Sequence, residues 1–377
     1  MLTDDMDLIS VDDHLVEHRN VWRDRLPARL HEAGPRVVEH PDGREEWLYE
    51  GRPVASTGLN AVAGTELKDR NVDPQRFDQM RPAAYDPVAR LDDMDADGVA
   101  MQLCFPTLPG FAGRKFYEGG DKALGLACVR AYNDFVLDEW CATAPDRYIP
   151  LTIMPLWDPE LAAAEIERCA TKGTKALGFP DNPYHLGLPS VHTDHWSPVF
   201  AAAQEAQLPL CCHFGGSGFA PTNAPDGPHA ALTALFQVTL FTSITEFVYS
   251  PTFHRFPDLK VVFSEGSIGW LPYAMQRLDQ VWEHYRFYPF EQGKLNPDVK
   301  PSDLMRRNVF GCFIDDPIGL QLRHEIGVDN ILYESDYPHA DSLWPHSRKH
   351  VAEVMVDVPD DDVRRIVETN ARRLFRV

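Results

Sequence analysis

Apolar positions along this chain fall into two alternating patterns. Short apolar runs at 8–13, 99–105, 148–154, 175–179, 208–213, 261–264, 309–314 and 331–335 suit buried parallel strands, because both faces of such strands are covered. Between them lie longer stretches with apolar residues at helical spacing. Leu124, Cys128, Ala131, Phe135 and Leu137 mark one over 121–144, and others cover 159–171, 197–206, 229–249, 271–286 and 318–326. The tail DDDVRRIVETNARRLF reads as a closing helix with acidic residues at its positive end. Eight β/α alternations predict an α/β protein built as a (β/α)8 barrel. A doubly wound open sheet is the competing arrangement, but the first strand lacks the Gly-x-Gly-x-x-Gly turn of a dinucleotide site.

Residues 15–95 interrupt this rhythm. Pro and Gly are frequent there, Glu46 to Val54 reads as a hairpin turning at Glu50-Gly51, and a short helix after Tyr85 stops at Gly98. The prediction is one barrel domain over 1–377, with an inserted segment at about 15–95 that covers one end.

Composition narrows the function. At 44% hydrophobic and 25% charged, the chain can bury a large core. The net charge of −21, with no basic stripe, excludes nucleic acid as an expected partner. No apolar run is expected to reach the roughly 18 residues that a membrane span requires, and acidic residues stand where a signal peptide carries basic ones. The expected location is therefore cytoplasmic, without a membrane partner. Seven cysteines without C-x-x-C spacing read as reduced thiols. Cys211 and Cys212 read as small buried hydrophobes.

In a barrel, side chains at the C-terminal strand ends converge on one cavity. Strand one offers Asp12 and His14, two apart and so on one face; strand five offers His213, strand six Glu265 and strand eight Asp336. Two imidazoles with several carboxylates suit a divalent cation, most simply zinc, with manganese or iron as alternatives. His339, on the loop after strand eight, can reach a substrate. Trp270 and Trp344 can wall a cyclic or aromatic one, although buried packing explains a Trp equally well. Arg81, Arg90 and Arg114 are candidate carboxylate clamps that surface ion pairs explain as readily.

Several motifs resemble a known family: VDDH at 11–14, RAYNDF at 130–135, HFGGSG at 213–218, FPDLKVVFSEGSIGWLP at 256–272, ESDYPH at 334–339 and ETNARRLF at 368–375. The chain resembles the amidohydrolase superfamily, in particular the branch that includes aminocarboxymuconate semialdehyde, γ-resorcylate and 5-carboxyvanillate decarboxylases. The resemblance implies a distorted barrel holding one divalent metal on Asp12, His14, His213 and Asp336, and a homodimer. Many members have His or Glu where this chain has Asp12, and no Lys ends strand four to bridge a second metal. The described decarboxylases place a His after strand six, where this chain has Glu265.

That last departure makes metal-dependent hydrolysis of a small cyclic or aromatic substrate the first expectation. In that reading Asp336 takes a proton from water, with Glu265 and His339 as further catalytic candidates. Non-oxidative decarboxylation of an aromatic or unsaturated acid is the alternative, with Glu265 or His339 as the acid. A metal-free, non-catalytic binding barrel is the rival from another class.

Overall fold

The computed structural model describes residues 1–70, 73–218, 224 and 226–377. Twelve strands form among the described residues. They are β1 (Ile9–Leu15), β2 (Arg36–Glu39), β3 (Glu45–Tyr49), β4 (Arg52–Ser56), β5 (Met101–Pro106), β6 (Tyr148–Ile149), β7 (Leu151–Thr152), β8 (Ala176–Gly178), β9 (Leu210–His213), β10 (Val261–Ser264), β11 (Val309–Phe313) and β12 (Ile331–Tyr333). Each of the eight predicted strands is present. The third is split into β6 and β7 by Pro150, which has no N–H to donate to a ladder.

All pairings outside the insertion are parallel. One sheet runs β1-β5-β6 and a second runs β7-β8-β9-β10-β11-β12. The two are continuous through Pro150, whose carbonyl accepts from Lys175 N at 2.9 Å and Ala176 N at 3.1 Å. At the other edge the chain leaving β12 bonds to β1: Asp336 N donates to Asp12 O at 2.8 Å, and His14 N to Tyr337 O at 2.7 Å. One buried cluster draws side chains from every strand position of both parallel sheets, including Val11, Leu103, Leu151, Ala176, Cys211, Val262, Phe310 and Leu332. Ala371, Leu374 and Phe375 of the last helix join its edge. Helices at 159–171, 197–205, 271–285 and elsewhere in the β/α order bury their apolar faces in a larger surrounding cluster.

Contrary to the expectation from the sequence, the 20-residue stretch Ala230–Tyr249 meets the length and composition of a membrane span, with an 18-residue window of mean hydropathy 1.4 of which a third is buried. Its helix breaks at Ala234–Leu235 and resumes over Phe236–Tyr249, where Leu240, Ile244, Phe247 and Val248 enter the core between β9 and β10.

The insertion carries its own antiparallel sheet, β2-β3-β4. Glu50 and Gly51, with φ of 51° and 71°, turn the hairpin between β3 and β4, the pair of positive angles that its tight turn requires. Trp22 packs edge-on against Trp47 and Phe116, anchoring the insertion to the core. Farther along, Val62 N and Ala63 N both donate to Pro338 O, at 3.0 and 2.9 Å, so the insertion also fixes the loop after β12.

Candidate metal centre and its cavity

Asp12 and His14 leave β1 at a register irregularity between Ser10 and Asp13, where the strand's C-terminal half shifts against β5. His213 ends β9, Glu265 follows β10, and Asp336 lies three residues beyond β12. Glu265 and Asp336 adopt left-handed backbone, with φ of 58° and 54°. Such conformations cost energy for non-glycine residues and persist where surrounding bonds impose them.

These side chains meet. His14 Nε2 lies 3.3 Å from His213 Nε2, 3.5 Å from Asp12 Oδ1 and 3.2 Å from Asp336 Oδ1. His213 Nε2 is 3.6 Å from Asp12 Oδ2 and 3.0 Å from Glu265 Oε2. His339 Nδ1 sits 3.0 Å from Asp336 Oδ1, and its ring stacks on His14 at 3.7 Å. Phe111 covers His213 at 3.9 Å between ring centres.

The donor set fits a cation. His213 Nδ1 is 2.7 Å from the Phe214 carbonyl, which holds the proton on Nδ1 and leaves Nε2 as a lone pair facing the cluster. Both oxygens of Asp12 and both of Asp336 are buried without a hydrogen-bond donor. Asp12, His14 and His213 bring their ligand atoms within 4.8 Å of one another, as do His14, Asp336 and His339. A carboxylate left this way is costly unless it is neutralised.

The electrostatics follow from burial. Desolvation, then the charges of Glu334, Asp336 and Glu265, push Asp12 well above the usual carboxylate range. Desolvation and then the charge of the neighbouring His339 hold His14 well below the ordinary histidine range. Burial pushes Asp336 upward, but His339 and His14 outweigh it and hold the group below its ordinary value. Glu265 is raised to about 7, chiefly by burial and then by the charge of Asp336, against the pull of His213. A carboxyl at that value exchanges protons near neutrality.

A buried polar network holds the two ligand-bearing segments together. Asp13 Oδ1 accepts from Ser335 Oγ at 2.6 Å, Tyr337 N at 3.1 Å and Gln102 Nε2 at 3.2 Å, so it grips the residues on either side of Asp336. Arg90, fully buried, donates to the His14 carbonyl at 2.6 Å and to Gln102 Oε1 at 3.0 Å. Glu17 accepts from Thr107 N and Leu108 N at 3.1 and 2.9 Å, tying the exit of β1 to the loop after β5. Arg90 is thus structural support beneath the site and clamps no substrate. Arg81 pairs with both oxygens of Asp93, and Arg114 pairs with Glu118.

A cavity of about 760 Å³ opens onto Glu265 and Glu334, with Ser267, Asp315 and Asp341 beside them and Phe236, Ile314 and Leu343 as apolar walls. Glu334 and Asp341 were not singled out by the sequence, although Glu334 opens the ESDYPH motif at a strand end. Trp270 and Trp344 are not among its lining residues. Trp270 donates to Gly266 O at 2.7 Å and packs on Phe241, while Trp344 donates to Asp93 O at 3.0 Å beneath the Arg81 guanidinium. Both indoles serve packing in this geometry, which suits residues whose N–H finds a buried carbonyl.

Comparison with known proteins adds to this picture. The family model described as Amidohydrolase matches residues 17–377, beginning just after the Asp12–His14 pair. The chain is similar to the gamma-resorcylate decarboxylase of Rhizobium radiobacter, 26% identical over 307 residues that cover 76% of this chain and 86% of that protein. Among solved structures, an amidohydrolase from Mycobacterium avium subsp. paratuberculosis superposes with a TM-score of 0.73 at 22% identity, covering 99% of this chain and 100% of that one. A 5-carboxyvanillate decarboxylase from Novosphingobium aromaticivorans, solved with manganese and 4-hydroxy-3-methoxy-5-nitrobenzoic acid, aligns over the full length of both chains with a TM-score of 0.67 at 18% identity.

Proposed function

The chain belongs to the amidohydrolase family and is an enzyme of it, and from that premise we propose that it is a metal-dependent decarboxylase of an aromatic carboxylic acid. This promotes the second of the two activities expected from the sequence over the first, hydrolysis. The observation that carries it is Glu265, a largely buried carboxyl that lines the cavity 3.0 Å from His213 Nε2, with its pKa lifted to about 7. At this position, where the described decarboxylases place a His, this chain has a carboxyl that exchanges protons near neutrality. The similarity to gamma-resorcylate decarboxylases supports the same reading.

We read the two parallel sheets as one closed eight-stranded barrel, supported by the backbone bonds between the β12 exit and β1 and by the shared interior cluster. Asp12, His14, His213 and Asp336 are the residues that would hold one divalent cation. Manganese in a structural neighbour makes it as good a candidate as the zinc first expected. Such a cation draws electron density from substrate oxygens and offsets the charge of the surrounding carboxylates.

In the reaction, protonated Glu265 gives its proton to the ring carbon that bears the carboxylate. The bond from that carbon to the carboxyl carbon then breaks, its electron pair restores the ring, and carbon dioxide leaves. Glu265 regains a proton from water. Asp336, paired with His339, stays ionised throughout. A homodimer, a cytoplasmic location and the single-domain boundary at 1–377 are proposals of the same kind, resting on the family and on composition.

The test is carbon dioxide release from hydroxybenzoic acids by protein reconstituted with manganese or zinc, with aryl esters, amides and lactones assayed in parallel. Release of carbon dioxide that Glu265→Gln lowers at least a hundredfold supports the reading. Hydrolysis of the neutral substrates with no carbon dioxide from any acid refutes it.

A further inference from the structure

The helix Phe236–Tyr249 buries Leu240, Ile244 and Phe247 in the core. Phe236 stands one turn before Leu240 and so shares this inward face. It is nevertheless only partly buried, and it lines the cavity together with Glu265. A break in the chain delivers it there: the helix His229–Thr233 ends before it, Leu235 has φ of −108° and ψ of 7°, and the next helix begins on Phe236 itself. An apolar ring left uncovered on an inward face has surface that a bound apolar molecule removes from water.

A second observation fixes the plane of this ring. Phe236 stacks on Phe214 with ring centres 3.8 Å apart and planes 21° from parallel. Phe214 lies 5.1 Å from the His213 ring at 33°, and Phe111 packs on His213 at 3.9 Å and 34°. The four rings form a series that leads from the metal centre to the cavity wall. Phe214 therefore does two things: its carbonyl holds the His213 Nδ1 proton, and its ring holds Phe236. An aromatic side chain already held in place loses little further freedom when a ligand packs on it.

We propose that Phe236 is the surface on which the substrate ring lies, and that this contact makes the site select planar aromatic acids over saturated cyclic acids of the same size. The inference rests on the decarboxylase reading for the chemistry at Glu265, and goes beyond it by naming the residue that recognises the ring. Aromatic pairing adds about two- to tenfold in affinity beyond the burial of area. A saturated ring is puckered, so it keeps the burial and loses the pairing. The contact is the same before and during loss of carbon dioxide, and it therefore acts on KM and leaves kcat unchanged.

The experiment uses the full-length manganese-loaded protein with salicylate and cis-2-hydroxycyclohexanecarboxylate, which carry the same carboxylate and hydroxyl on an aromatic and a saturated ring. Binding is measured by calorimetry for wild type, Phe236→Leu and Phe236→Tyr at matched metal content. The two acids differ as metal ligands, so the change in their affinity ratio between variants is the quantity read. Phe236→Leu should lower that ratio at least threefold, and Phe236→Tyr should keep it within twofold of wild type. With 2,6-dihydroxybenzoate as substrate, Phe236→Leu should raise KM at least threefold and change kcat less than twofold. Phe236→Ile repeats the comparison should the leucine variant fail to fold. A ratio that Phe236→Leu leaves unchanged, a ratio that Phe236→Tyr lowers equally, or failure of salicylate to bind overturns the proposal. Loss of ring selectivity in Phe236→Leu without carbon dioxide release from any acid supports the proposal and refutes the decarboxylase reading. Carbon dioxide release with KM unchanged in Phe236→Leu does the reverse.

Discussion

Asp13 is not one of the residues whose atoms surround the metal position, yet two of its hydrogen bonds land on Ser335 and Tyr337, on either side of Asp336. Groups that orient metal ligands typically contribute ten- to a hundredfold in metal affinity. Asp13→Ala should therefore weaken metal binding by about that factor, measured by competition with a chelating indicator, while Asp13→Asn, which keeps an acceptor, should lose less than tenfold. Asn133→Ala serves as a control, because it removes a comparably buried polar side chain bonded to Ile153 O and Glu165, away from the site. An equal loss of metal in the Asn133 variant would mean that Asp13 acts only through stability.

Glu17 makes a separate prediction. Burial raises it from 4.5 to about 7 in the folded protein. The folded state therefore holds this proton more tightly than the unfolded state does. Its contribution to stability is complete below about 4.5 and is lost as pH rises toward about 7. A shift of that size is worth at most about 3 kcal/mol. Denaturant titrations of wild type and Glu17→Gln between pH 4 and 8 should show the variant with the shallower decline, and parallel curves would contradict this. Asp12, His14, His213, Glu265 and Asp336 were legible in the sequence because polar residues at the ends of apolar strands are conspicuous. Asp13, Glu334 and Arg90 were not, because their roles depend on partners dozens to hundreds of residues away.

At the scale of elements, all eight central strands were legible, since burial on both faces leaves a continuous apolar run. What escaped was short or polar. The helix Pro301–Asn308 carries three charged residues in eight, and the helix Ser347–Val354 buries little besides Val351. β2, four residues with no fully buried side chain, pairs with β3 across HPDGR, where Asp42-Gly43 marks a turn but the polar, partly exposed strand before it has no apolar run to read. The helix Pro87–Asp97 matters to the site because it carries Arg90 to the His14 carbonyl. Asp86 caps it, accepting from Val88 N at 2.8 Å and Ala89 N at 3.3 Å. Asp86→Ala should cost about 1 kcal/mol of stability, read as a lowered midpoint in chemical denaturation. No change in midpoint would show that packing alone holds the helix.

Across the whole molecule, the parallel sheets bring residues from position 12 to position 341 to one end, and the insertion holds the last of these loops through Pro338. The sequence predicted this convergence from strand order. The shape of the cavity depended on the insertion, whose path through turns and short helices has no periodic pattern to read. The claim on which the rest depends is that Asp12, His14, His213 and Asp336 together hold one divalent cation. Elemental mass spectrometry of protein purified without chelators or a His-tag, run beside His213→Ala of matched folding by circular dichroism, tests it most directly. The account predicts about one equivalent of manganese, zinc or iron in the wild type and less than a tenth of that in the variant. Wild-type protein that contains no metal and takes up none on reconstitution, or a His213 variant that retains its full equivalent, would contradict it.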